Sequence, residues 1–182
     1  NNNPIHHEIK NSLYKEITTD NVLSYWIEKR RVTPETLTQI DLTAMGEGIS
    51  PLSLTMKRFI TKWSCESIGT GKNMQRWKLR HCGDCPFCTE PDENTLHIFQ
   101  CPSIESLDAF KEAFRDLVKK LLSLNTCIQL LVAIRNDVMA WRKGYPTPAT
   151  GHLPLGLQRA IFAQRDIGWK QFFEGLVAKH WG

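Results

Sequence analysis

Long apolar runs, strand-like alternation and internal repeats are all missing from this sequence. No stretch of its 182 residues approaches the roughly 18 consecutive apolar residues that a transmembrane helix requires. The polar start, Asn1 to Pro4, does not resemble a signal peptide. No regular alternation of apolar and polar residues predicts a strand. We therefore expect a mainly α-helical protein, inside the cell in the nucleus or cytoplasm, with no membrane partner.

Disulfide-type cysteine spacing and a recognisable catalytic set are missing as well. Six cysteines are present, but four of them lie within the twenty residues 82–101. Such clustering suits one metal ion better than a framework of disulfide bridges. No carboxylate pair, Ser-His-Asp set or Cys-His dyad can be placed in a pocket from the sequence. We expect a protein that is not an enzyme by itself.

Positive charge is concentrated in one window of the chain. The formal net charge is only +4, which is too weak to indicate a polyanionic partner. Seven cations lie between Lys57 and His81 against one anion, Glu66, so that window carries +6 and the remainder about −2. The position of the charge is therefore more informative than its sum.

Apolar periodicity and capping residues predict the organisation of the chain. Residues 1–15 are predicted to form a flexible N-terminal arm and residues 16–182 a small helical domain organised around a zinc-knuckle loop. Within it we expect a zinc module at 52–103 and C-terminal helices at 104–182. The start without methionine is interpreted as the sign of a fragment.

Capping residues predict where individual helices begin. The predicted N-caps are Asp20, Thr33, Ser50, Ser103 and Thr126. The Thr33 helix is expected to continue through Met45 to a break at Gly46 and Gly48. Gly144 to Pro154 is predicted to be a loop, followed by one amphipathic stretch that ends near Trp181. Cys127 is expected to be a buried small hydrophobe, and the five tryptophans other than Trp77 to be core residues.

Cys85, Cys88, His97 and Cys101 have the spacing of a four-ligand zinc site. A Cys-x-x-Cys pair allows a tight turn to direct two thiolates at one ion, and a His and a Cys four residues apart share a helical face. A complete shell of three thiolates and one imidazole leaves no open position for water. The sequence therefore predicts one structural Zn²⁺ ion.

Cys82 leaves an alternative open, because Cys82, Cys85 and Cys88 form a Cys-x2-Cys-x2-Cys run and Pro102 follows Cys101 as in bacterial ferredoxins. A ferredoxin-type cluster needs its fourth cysteine three residues after the run, and here that cysteine is separated by twelve intervening residues. Zinc is therefore favoured over iron–sulfur. Cys82 stays an alternate candidate ligand.

The stretch from Leu54 to Cys101 resembles the zinc-binding domain of non-LTR (LINE-like) retroelement reverse transcriptases. The resemblance covers about a quarter of the chain and rests on a helix at 58–63, a Gly-Thr-Gly turn at 69–71, Cys85-Pro-Phe-Cys88, the acidic Glu93, His97-Ile-Phe and Cys101. It implies that Cys85, Cys88, His97 and Cys101 are the ligands of a CCHC-type site. It also implies a role in holding RNA beside a polymerase domain.

The polymerase itself is missing, because no Tyr-x-Asp-Asp motif is present. The second half of the chain, particularly Gln164 to Trp169 and Gly175 to Trp181, more vaguely resembles the tail of uncharacterised retroelement-derived reading frames in protists. An upstream polymerase domain, or another protein partner, is the expected association on this interpretation.

The basic segment before the cysteines suggests what the module binds. Lys72, Arg76, Trp77, Lys78 and Arg80 alternate cations with an aromatic ring that can stack on an unpaired base. These residues predict binding of single-stranded or structured RNA or DNA. The alternative is that Trp77 and Leu79 are buried and that the cations lie on a solvated face. In that case the protein is a zinc-stabilised scaffold or a protein-interaction subunit.

Overall fold

The computed structural model describes residues 24–28 and 32–181, and this part of the chain is mainly helical without strands. The predicted fold class is confirmed. Residues 24–28 form α1. The later helices are α2 (Pro34–Gln39), α3 (Leu42–Ile49), α4 (Leu54–Ser64), α5 (Gly71–Arg76), α6 (Thr95–Gln100), α7 (Ile104–Ser123), α8 (Ile128–Arg142), α9 (Leu155–Ile167), α10 (Trp169–Phe173) and a 3₁₀ turn at Lys179–Trp181.

The chain divides into two compact units, Asn1–Ile40 and Asp41–Gly182. In the first unit, the Thr33 side chain accepts a hydrogen bond from the Thr36 amide, so the predicted N-cap of α2 is confirmed. The predicted arm at 1–15 and the predicted cap Asp20 lie outside the described residues. The candidate metal centre and the residues around it, described below, belong to the second unit.

Three predicted helix boundaries are wrong, and one of them is the start of α8, whose N-cap is Cys127 and not Thr126. The helix from Thr33 does not continue to Met45, because Ile40 has an extended backbone and the Asp41 carboxylate caps a separate helix, α3, through the Ala44 amide at 2.9 Å. Gly46 and Gly48 therefore lie inside α3 instead of ending a helix. The next helix begins at Leu54 with Ser53 as its N-cap, and not after Ser50.

The long helices α7, α8 and α9 supply most of the core. The predicted N-cap Ser103 accepts from the Ser106 amide at 3.1 Å, and α7 then runs for 20 residues. The buried apolar side chains of α8 and α9 include Ile134, Val138 and Ile161, each at most 2% exposed. The predicted loop before α9 is present.

The predicted C-terminal stretch is divided by Gly168. This residue has φ of +109°, a conformation that favours glycine, and it separates α9 from α10. The Gln164 amide, fully buried, donates to the carbonyls of Gly168 and Leu176 and accepts from the Ala178 amide at 3.1 Å. One buried side chain thus satisfies the backbone groups that the break exposes.

The predicted core residues are only partly buried. Cys127 is exposed, contrary to the prediction, because it is the N-cap residue of α8 and lies before the first turn that packs. Trp169 is 3% exposed, whereas Trp26, Trp63, Trp141 and Trp181 are half-buried. Trp181 nevertheless donates its indole N–H to the Ala160 carbonyl at 2.9 Å.

Within the described residues, no helix is both long enough and apolar enough to cross a membrane.

A buried ion pair joins α8 to α9, and it should contribute more to stability than the exposed pairs. Asp137, 1% exposed, accepts from Arg165 at 2.5 and 2.8 Å, and Arg165 also donates to the Pro148 carbonyl. Removing one partner of a buried pair leaves an uncompensated charge. We expect Asp137→Asn to lower the free energy of unfolding by about 3 kcal/mol, measured by urea denaturation.

The matched control is Asp108→Asn, which removes an exposed carboxylate paired with Lys111 at 3.1 Å. Its expected cost is below about 0.5 kcal/mol, because water screens an exposed pair. Equal effects of the two substitutions would contradict this assignment.

Candidate metal centre

A tight turn brings Cys85 and Cys88 to the same side of the loop that follows α5. The Cys85 amide donates to the Glu90 carbonyl at 2.9 Å, and the Thr89 amide donates to the Cys85 carbonyl at 3.0 Å. Thr89 has φ of +59°, which closes the turn. The Glu90 backbone hydrogen-bonds to the Cys88 thiol. This is the arrangement that a Cys-x-x-Cys pair uses to direct two sulfurs at one ion.

The short helix α6 supplies the other two candidate ligands. Asn94 caps it by accepting from the His97 amide at 3.0 Å. His97 lies in its first turn, and Cys101 is its C-cap residue. Four residues apart, the two side chains lie on the same face of the helix.

The four candidate ligands meet in one group, as their spacing predicts. One ligand atom from each of Cys85, Cys88, His97 and Cys101 lies within 4.8 Å of all the others. Cys85 and Cys101 are each 2% exposed, and Cys88 and His97 are half-buried. The Sγ atoms of Cys85 and Cys101 are 3.7 Å apart, and Cys88 Sγ is 3.2 Å from His97 Nε2.

These distances fit a tetrahedral metal ion. With Zn–S near 2.3 Å and Zn–N near 2.0 Å, the edges of a tetrahedron are about 3.8 Å between sulfurs and about 3.5 Å between sulfur and nitrogen. A zinc ion bound there would supply a four-point cross-link between the cysteine turn and α6. The donor set of three thiols and one imidazole suits a soft divalent ion.

The thiols of the group affect one another's protonation. Burial raises the pKa of the Cys88 thiol to about 11, with the Glu90 backbone opposing and Cys101 and Cys85 reinforcing the rise. Burial also raises the pKa of Cys101, but hydrogen bonds from Ser103 and from the Cys88 and Cys85 thiols lower it to about 6. These shifts favour the thiolate form of Cys101 and oppose it at Cys88.

Cys82 lies outside the group. It is exposed, as are Cys65 and Cys127. The iron–sulfur alternative requires Cys82 or a further thiolate where His97 stands, and this donor set therefore favours zinc over a four-cysteine cluster.

Glu93 holds the cysteine turn against α5, a role that sequence reasoning missed. Its carboxylate accepts from the Gly71 amide at 2.6 Å, its carbonyl from the Lys72 amide at 3.0 Å, and its amide donates to the Gly83 carbonyl at 2.8 Å. Thr70, interpreted from the sequence as part of a turn, is the N-cap of α5. The acidic residue and the glycine of the retroelement-like pattern are thus hydrogen-bonded to each other.

Phe99 connects the same short helix to the interior. Its ring lies 4.7 Å from that of Phe173, 5.2 Å from that of Trp63 and 5.8 Å from that of Trp141, measured between centroids. The Gln100 side chain donates to the Trp141 carbonyl at 3.1 Å. Since α6 has only six residues, this packing is what holds it in place.

The predicted nucleic-acid residues lie on the surface beside this centre. Lys72, Arg76, Trp77 and Lys78 are exposed, and Arg80 is half-buried and donates to the Asp84 carbonyl. Trp77 and Leu79 are 41% and 65% exposed, so the alternative in which both side chains are buried is wrong. The reason is that α5 ends there, with Lys78 at φ of +60°, so neither side chain packs against a helix face.

Comparison with protein-family models, with curated proteins and with solved structures finds no match to this chain. The resemblance to the zinc-binding domain of retroelement reverse transcriptases therefore rests on the motif alone, and what the structure shows is a Cys3His group able to bind a metal.

The close approach of α5 to the cysteine turn predicts that Gly71 cannot be replaced. A Cβ at this position would lie 2.3 Å from the Gly83 carbonyl oxygen. We expect Gly71→Ala to lower the free energy of unfolding by about 3 kcal/mol, because backbone atoms must move apart. Thermal or urea denaturation of the metal-loaded protein measures this.

Gly156→Ala is the matched control. It lies in the first turn of α9, and its Cβ would meet nothing within 4 Å. Alanine should be neutral or stabilise by up to about 1 kcal/mol, since it restricts the unfolded chain. A Gly71→Ala variant as stable as Gly156→Ala would show that the two segments do not touch.

Proposed function

We propose that this protein binds one structural Zn²⁺ ion through Cys85, Cys88, His97 and Cys101 and does not itself catalyse a reaction. The observation that supports this is the Cys3His group, whose four ligand atoms converge within 4.8 Å. Four protein ligands fill a tetrahedral shell and leave no position for a reacting water. The role that follows is to organise the loop between α5 and α7.

Removing one ligand tests the zinc proposal. Cys88→Ser should reduce bound zinc from one equivalent to none, measured by elemental analysis after gel filtration. It should also remove the part of the free energy of unfolding that depends on zinc, which is on the order of several kcal/mol for structural sites. Chelator should produce the same loss in the wild type.

Cys82→Ser is the control, because it removes an exposed thiol from the same loop without touching the group. It should keep one zinc and the wild-type melting temperature. Zinc lost from Cys82→Ser but retained by Cys88→Ser would show that Cys82, and not Cys88, is the ligand. A wild type that melts identically with and without metal would contradict the structural role.

We further propose that the surface beside the metal centre binds single-stranded nucleic acid. Two observations support it. Trp77 is 41% exposed, which makes its ring available for stacking on a base, and the Arg76 guanidinium lies 6.0 Å from that ring. Lys72 and Arg76 are four residues apart on α5 and so point from one face toward the same phosphate strand.

A cleft beside α5 adds to this surface. Its volume is about 490 Å³, and its lining includes Lys72 and Arg76 from α5, Asn94 and Thr95 at the start of α6, and Lys170 from α10. Glu66, the carboxylate in this lining, forms an ion pair with Lys170. The charges of Lys72 and Arg76 are thus available to bind an anion such as a phosphate group.

The double variant Lys72→Ala/Arg76→Ala tests this surface. Affinity for a single-stranded RNA oligomer should fall by about tenfold or more, and the slope of log K against log salt should decrease by about 1.4, since each phosphate contact contributes about 0.7. Trp77→Ala should cost about 1–3 kcal/mol of binding without changing the slope. Fluorescence anisotropy across a salt series measures the affinity and the salt slope of the wild type and of both variants.

Lys111→Ala/Lys119→Ala is the control with the same loss of charge, taken from exposed positions on α7. It should bind RNA almost as the wild type does. Equal losses of affinity in the two double variants would show that binding depends on the net charge of the protein and not on this surface. A wild type that binds no RNA or DNA would favour the other interpretation, a zinc-stabilised scaffold for a protein partner.

We propose an origin in a retroelement reverse transcriptase for this module. The support is the motif from Leu54 to Cys101, including the paired Gly71 and Glu93. A polymerase domain encoded upstream in the same reading frame is the association expected on this proposal.

A further inference from the structure

Arg142, the last residue of α8, is a buried cation without a carboxylate partner among the described residues. It is only 6% exposed. Charged side chains are almost never this buried unless something pairs with them. In the part of the chain that the structure describes, no Asp or Glu forms an ion pair with Arg142.

The surroundings of Arg142 point to the metal centre. Its guanidinium donates to the carbonyl of Cys101, 41 residues away along the chain, at 2.9 Å. The group also lies over the Phe110 ring, 5.2 Å from the centroid. Its Nε–H is buried and has no hydrogen-bond partner.

The metal-loaded centre would need such a cation. Three thiolates and one neutral imidazole around a divalent ion give a net charge of −1, and two of these thiols, on Cys85 and Cys101, are 2% exposed. A buried net charge is unfavourable unless an opposite charge lies near it. Outer-shell partners of this kind are known to tune both the orientation and the affinity of metal ligands.

We propose that Arg142 is a positioning residue of the metal centre: its buried guanidinium balances the net negative charge of the loaded Cys3His group and so couples metal binding to the packing of α8. This inference rests on the proposed zinc function. The adjacent hydrogen bond from Gln100 to the Trp141 carbonyl joins the same two segments without any charge. The chain therefore offers a charged and an uncharged contact between the same elements.

The test compares zinc affinities, measured by competition with a chromophoric chelator, in the full chain. Arg142→Met keeps a long apolar stem and removes the charge, and we expect it to weaken zinc binding about 10- to 100-fold. Arg142→Lys keeps the charge and should recover most of that loss. Should Arg142→Met fail to fold, Arg142→Gln, which retains donors without charge, replaces it in the comparison.

Gln100→Met is the control for the loss of an uncharged contact between α6 and α8. It removes the uncharged contact and should lower stability by similar amounts with and without zinc, leaving zinc affinity within about threefold of wild type. Unchanged zinc affinity in Arg142→Met would overturn the inference and leave the zinc function standing. So would a loss in Gln100→Met as large as that in Arg142→Met. A wild type that binds no zinc would instead overturn the proposed function.

Discussion

The packing of Phe99 against the rings of Phe173, Trp63 and Trp141 is the interaction on which the candidate site depends. Phe99 lies on α6 between His97 and Cys101, so one face of a six-residue helix contacts the core and another faces the cysteine turn. A helix this short is unstable alone. Aromatic packing on one side and the ligand group on the other must therefore stabilise it jointly, which makes the geometry of the metal centre a property of the whole C-terminal unit.

Electrostatics follows from the same placement. Three sulfurs approach one another in the ligand group, and two of them, on Cys85 and Cys101, are buried, so thiolates there are unfavourable unless a cation lies near them. Arg142 approaches from α8, while Lys72 and Arg76 lie on α5, which Glu93 and Gly71 hold against the cysteine turn. Arg142 is buried whereas Lys72 and Arg76 are exposed, so only the latter two are accessible to a polyanion.

Much of the site was predictable because it is local in sequence. The ligand set follows from the spacing of Cys85, Cys88, His97 and Cys101, and capping chemistry correctly placed Thr33 and Ser103. Predictions failed where a tertiary contact overrode a local pattern. Asp41 starts a new helix in place of continuing one, and its amide bonds to the Val177 carbonyl, 136 residues later. Cys127, predicted to be buried, is exposed because α8 begins directly after it.

By itself, the sequence determined the helical class, the concentration of positive charge between Lys57 and His81, and the four residues able to hold a metal, since periodicity, charge and ligand spacing are properties of neighbouring residues. Only the tertiary structure decided that Glu93 joins Gly71, that Arg142 is buried against Cys101, and that Trp77 faces solvent. These contacts link residues 22 to 41 positions apart or depend on where a helix ends, and such pairings depend on how the whole chain packs.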